Sequence, residues 1–139
     1  MSTKRSRMQV PPNCDLTLGV VCVDKQVAGV TVWEMEADER FANPAGIVQG
    51  GFLAALADSA MGASAVTYAT QEPDRRVFSA NVEMKTSFLR AVRVGSILRC
   101  RATVISGGER VVFCEADVTD DEGRLVAKAS STYVLTPRE

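Results

Sequence analysis

Asp58 stands in the middle of NPAGIVQGGFLAALADSAMGASA, a run of small and apolar residues from Asn43 to Ala65. Its helical neighbours at three and four residues are Ala54, Ala55, Met61 and Gly62, so its own helix offers no cation. Burying an unpaired carboxylate is very costly. The face that carries Asp58 is therefore either wet or a place where something binds. Upstream lie Gly50 and Gly51, at the start of the same helix. Free backbone N–H groups and the positive end of the helix dipole gather there, which suits a carbonyl oxygen that is gaining charge. Glycine also lets a substrate reach the backbone with no Cβ in the way. A carboxylate can attack a carbonyl carbon or activate water against it. One segment thus carries both halves of a hydrolytic site.

Those halves cannot meet within one chain. Gly51 and Asp58 are seven residues apart, which is about 10 Å along a helix axis. Reaction geometry needs both groups within about 3–3.5 Å of the reacting atoms. Two antiparallel helices related by a two-fold would set Asp58 of one chain beside Gly51 of the other. The expectation is a homodimer with two equivalent sites at its interface, and an inactive monomer.

The rest of the composition narrows the chemistry. The chain of 139 residues contains no histidine, which removes Ser-His-Asp and Cys-His hydrolysis and the usual His-based zinc sites. A net charge of −1 and a pI near 5.6 give no general pull towards nucleic acid or membrane. Asp58 and several small polar residues interrupt the longest apolar run, so no transmembrane helix is expected. Cys14, Cys22, Cys100 and Cys114 lack CxxC spacing, and three of them fall in apolar strand patterns. Reduced thiols in a cytoplasmic protein follow, with a Cys100–Cys114 disulfide left open because their strands should pair. The opening MSTKRSRMQVPPNC has three basic residues with no apolar stretch behind them, unlike a secretory signal. Residues 1–15 read as a mobile arm and 16–139 as a single domain.

The elements that must hold these residues can be read from periodicity. LGVVCVDKQVAGVTVWEM, Leu18 to Met35, is β-rich with a turn near Asp24 to Gln26. Pro44 and Gly46 break the following loop. The one good helix runs from about Val48 to Ala69, with Glu72-Pro73-Asp74 just beyond it. In VFSANVEMKTSFL, Phe78, Ala80, Val82, Met84, Thr86 and Phe88 alternate with polar residues, which predicts a strand with those six on its buried face. SILRCRATVIS and RVVFCEADVT repeat the alternation, burying Leu98, Cys100, Ala102 and Val104, then Val112, Cys114, Ala116 and Val118. Gly-containing turns join them to RLVAKASSTYVL as an antiparallel meander. One helix on so long a sheet must be wrapped by it, giving an α+β domain.

Asn43, Gly46, Val48, Gln49-Gly50-Gly51 and Asp58 together resemble the N-x-x-G-x-V-H-G-G-x-x-x-x-x-x-D signature of hotdog-fold acyl-CoA thioesterases, in particular the phenylacetate-pathway (PaaI-type) branch. SFLRA, Ser87 to Ala91, and the strand order extend the resemblance over roughly residues 16–136. It implies a hotdog fold, one long helix wrapped by a five- to six-stranded antiparallel sheet. Asp58 would be nucleophile or general base, Gly50 or Gly51 would polarise the thioester carbonyl, and Asn43 would orient the carbonyl or the water. Asn81 would position water. No cofactor is implied, since coenzyme A belongs to the substrate, and the chains would pair as a dimer or a dimer of dimers. Gln49 departs from the signature's histidine; it can donate and accept hydrogen bonds but cannot take up a proton near neutral pH. Phe52 and Ser59 complete the expected substrate contacts, Phe41 and Trp33 are further candidates for an acyl pocket, and Arg90 and Arg110 could meet the phosphates of coenzyme A. A non-catalytic acyl-CoA-binding protein and a hotdog hydratase or dehydratase are the alternatives; the latter usually relies on a histidine absent here.

Overall fold

The computed structural model describes residues 10–138. A short helix α1 (Asn13–Leu18) leads into a hairpin, β1 (Val21–Asp24) and β2 (Val30–Glu36). The long helix α2 (Gly50–Ala69) follows, and then β3 (Val77–Phe88), β4 (Ile97–Gly107), β5 (Val111–Thr119) and β6 (Leu125–Pro137). All neighbouring strands pair antiparallel in one six-stranded sheet of order β1-β2-β4-β5-β6-β3. The meander β4-β5-β6 forms as its turns predict, and β3 closes the far edge against β6.

α2 lies across this sheet. Leu53, Leu56, Ala57, Ala60, Met61, Ser64, Ala65 and Ala69 are buried at three- and four-residue intervals, the stripe of a helix with one face in the core. Opposite them the inward residues of the central strands are sealed: Leu98, Cys100 and Ala102 on β4, and Val112, Cys114 and Val118 on β5, are each 0% exposed. α2 is long and apolar enough to cross a membrane by length and composition, contrary to the sequence expectation, although in this fold it is the core helix of the sheet.

Three further points concern the expected arm, the cysteines and the strand faces. Most of the arm expected over residues 1–15 lies outside the described residues, but Asn13 to Asp15 open α1. Asp15 is buried there and accepts a hydrogen bond from Ser59 Oγ on α2 at 3.0 Å. Cys100 lies across from Val118, and Cys114 across from Val104, so the two free thiols are out of register for a disulfide.

The third point, where the expectation changes, is on β3. Its pairing with β6 slips by one residue between Asn81 and Glu83, so Val82 is the extra residue of a bulge. Up to Asn81 the register matches Val77, Ser79 and Asn81 to Pro137, Leu135 and Tyr133; after it, Met84, Thr86 and Phe88 match Ser131, Ala129 and Ala127. The buried residues of β6 from Ala127 to Leu135 are these same partners, so the bulge switches which β3 residues face α2. Phe78 and Val82, expected in the core, are 45% and 59% exposed. Ser79 faces the helix and donates to the Gly62 carbonyl at 3.1 Å.

Candidate active site

Two places on α2 hold the candidate groups. The first is Asp58, exposed in the single chain and just beside the buried stripe. The partners missing from its own helix come from the sheet. Its Oδ1 accepts from Asn81 Nδ2 at 3.0 Å and from the Tyr133 hydroxyl at 2.7 Å. Asn81 and Tyr133 are directly paired across β3 and β6, so they share a face and converge on one carboxylate oxygen. The backbone N–H of Glu83 donates to Asn81 Oδ1 at 3.2 Å, which turns the amide nitrogen towards Asp58. Tyr133 is 2% exposed. Burial, and then its hydrogen bond to Asp58, push the phenol's pKa well above the usual tyrosine value, so it stays protonated and donates.

Tyr133 escapes sequence reasoning because it falls on the inward rhythm of β6 with Ala129, Ser131 and Leu135, where it reads as core. The available signal is complementary: a buried phenol needs a partner, and so does a carboxylate on a helix that offers none.

The second place is the start of α2. Gln49 is the N-cap residue; its side chain caps nothing, and the turn begins with Gly50 and Gly51. A Cβ on Gly50 would come within 2.9 Å of the Phe88 ring, whereas one on Gly51 would meet nothing within 4 Å. Gly50 is therefore glycine for close packing, and Gly51 opens to the outside. A groove of about 510 Å³ adjoins this end, lined by Ile47, Gly50, Leu53, Phe88 and Val92 together with Arg90. Its wall is apolar apart from the exposed Arg90.

The remaining candidates separate. Asn43 Oδ1 accepts from the N–H groups of Ala45 and Ile47 at 2.9 and 3.1 Å, an Asx-type turn that shapes the approach to α2. Phe52 stacks on buried Phe41, with ring centroids 4.3 Å apart. Trp33 packs against the core and donates to Thr31 Oγ1 at 2.9 Å. Ser59 is engaged with Asp15 on α1. Arg110 lies at the opposite end of the helix, in the β4–β5 turn region whose Gly107 carbonyl accepts from Tyr68 near the C-terminus of α2. Asp58 with Asn81 and Gly50 with Arg90 are therefore the groups brought together.

The family model of the thioesterase superfamily matches residues 45–127, which contain α2, Asp58 and both glycines. The chain belongs to the thioesterase superfamily. It is a PaaI-type thioester hydrolase with the hotdog fold. This thioesterase is 35% identical in sequence to a phenylacetic acid degradation-related protein of Ralstonia eutropha, with a TM-score of 0.76 over 88% of this chain and 89% of that one. The PaaI protein of Escherichia coli superposes with a TM-score of 0.80 at 20% identity, covering 88% of this chain and 83% of that one. Human acyl-coenzyme A thioesterase 13 is 25% identical over 124 residues, 88% of this chain and 85% of its own length.

Proposed function

We propose that this thioesterase hydrolyses acyl-CoA esters, of aryl, arylacetyl or medium-chain acids, to the free acid and coenzyme A, at sites shared between two chains. Asp58 attacks the thioester carbon or activates water against it. The N–H of Gly50 or Gly51 receives the carbonyl oxygen as it gains charge. The apolar groove beside Gly50 takes the acyl group, and Arg90, which also lines it, binds a phosphate of coenzyme A. The names of the relatives support the substrate class, human acyl-coenzyme A thioesterase 13 among them.

The observation that carries the shared site is the position of β3. It is a twelve-residue strand at the sheet edge, paired only with β6, and its other side is a row of backbone groups ready for a further strand. Asp58 sits against Asn81 at one point of β3, and Gly50 against Phe88 further along it. An antiparallel pairing of two β3 strands centred near Met84 and Lys85 brings Asn81 of one copy opposite Phe88 of its twin. Asp58 then faces the other copy's glycines, closing the gap of about 10 Å that separates the two halves in one chain.

Complementation tests this reading. Asp58→Ala removes the carboxylate, and Gly51→Pro removes a donor at a first-turn position that tolerates proline. Each pure variant should release almost no thiol from a panel of acyl-CoA esters. Random re-pairing of equal amounts should restore about a quarter of the sites, since half of the dimers are mixed and each has one intact site. No recovery from demonstrably mixed dimers would reject the shared site. Full activity of Asp58→Ala would reject the role of Asp58 itself.

A further inference from the structure

We propose that Tyr133 and Asn81 are positioning residues that pin Oδ1 of Asp58, leaving Oδ2 as the oxygen that works on the thioester. The inference rests on the reading of Asp58 as the reactive group. A carboxylate on a helix surface turns easily about its last torsion, and both oxygens are then equivalent. Here they are not. Oδ1 receives two donors, at 2.7 Å from Tyr133 and 3.0 Å from Asn81, and both donors are themselves held.

The phenol is buried, and the ring packs near Gly62, where a Cβ would stand 3.6 Å from it. The Tyr133 hydroxyl also lies 3.1 Å from the Asp58 carbonyl, so its single proton faces two acceptors of the same residue. The Asn81 amide is oriented by the Glu83 N–H, and Ser131 Oγ lies 3.3 Å from its nitrogen. All of these groups come from the β3–β6 pair, on the sheet side of α2. A carboxylate fixed on that side presents its second oxygen away from it. Reacting groups must be held within a few tenths of an ångström of productive geometry, so a clamp of this kind acts on the rate of the chemical step.

Tyr133→Phe keeps the ring and removes only the donor. The expected result is a fall in kcat of about ten- to a hundredfold with KM unchanged within about twofold, the pattern of an interaction that matters only in the transition state. The effect must pass through Asp58. In an Asp58→Asn background, Tyr133→Phe should therefore cost no further activity, the full non-additivity of residues acting as one unit. A structural role would lower activity in both backgrounds and lower Tm with it.

Asn81→Ala, on the β3 edge where two copies are proposed to meet, gives the same test outside the core; with a sedimentation profile like that of the parent protein, it decides the matter if Tyr133→Phe does not fold. An unchanged kcat in the folded variants, or an additive loss in the Asp58→Asn background, would overturn the clamp. The two readings fail differently. If Asp58→Ala is active, the assignment of Asp58 falls; if only Asp58→Ala is inactive while both clamp variants keep their kcat, the clamp alone falls.

Discussion

Strands β4 and β3 carry the same written pattern, apolar and polar residues in alternation, and the fold treats them differently. On β4 the apolar set goes inward without exception from Leu98 to Ala102. On β3 the first half of that set points out, and the bulge at Val82 turns Ser79 and Asn81 to the helix instead. From Arg99 to Thr103 β4 lies between two strands, where a shift by one residue would expose its apolar face; its own register shift against β5 comes beyond that stretch, between Val104 and Ser106. β3 is held on one side only and can accommodate an extra residue. What the edge strand gives up in apolar packing it returns as polar groups beside Asp58. Bulges are frequent next to active sites because they re-aim a side chain, and this one aims Asn81.

The contrast can be tested at several strengths. The largest effect is expected where the polar face of β3 meets the helix. Asp58→Ala should lower turnover with acyl-CoA by about a thousandfold or more, while circular dichroism and the sedimentation profile stay as in the parent protein. Retained turnover would mean that the bulge serves packing alone.

Next comes the same substitution on a central and on the edge strand. Val118 on β5 is 0% exposed and Val82 is 59% exposed. Val118→Thr buries a hydroxyl and should cost about 1–3 kcal/mol in urea unfolding. Val82→Thr should stay within about 0.5 kcal/mol in the same measurement. Equal costs would contradict the outward placement of Val82.

A smaller effect separates Gly50, which faces this edge, from Gly51, which does not. Gly50→Ala meets the Phe88 ring, which is 54% exposed and able to swing aside, so the change falls on the groove. The expected rise in KM for acyl-CoA is about three- to tenfold, relieved by Phe88→Ala. Gly51→Ala meets no atom and should leave Tm equal or slightly higher.

The last effect is alkaline. Burial pushes the thiols of Cys100 and Cys114, on the central strands, up to about 12 from the ordinary 9.0. A raised acid pKa favours the folded state while the thiol is neutral in both states, which holds below about pH 9. That contribution is lost between about pH 9 and 12, as the unfolded chain ionises and the folded one does not. The urea midpoint should fall over that range, and less steeply in Cys100→Ala or Cys114→Ala. A variant with an undiminished slope would remove the thiols as the cause.

Much of this was readable along the chain. A helix ending at Ala69, expected to start near Val48 and found to start at Gly50, the meander, the glycines and the isolated Asp58 are local facts, set by spacing and by which side chains water accepts. The rise of a helix is enough to set Asp58 and Gly51 about 10 Å apart within one chain. Tertiary structure alone decided who holds Asp58. Tyr133 is 75 residues away in sequence and belongs by rhythm to the core of β6, and Asn81 reaches the carboxylate only because one extra residue reverses the strand. Ser59 went to Asp15, and Asn43 to its own turn, for the same reason. A side chain's type limits what it can bind, but its partner is chosen by register and packing, and those are properties of the whole sheet.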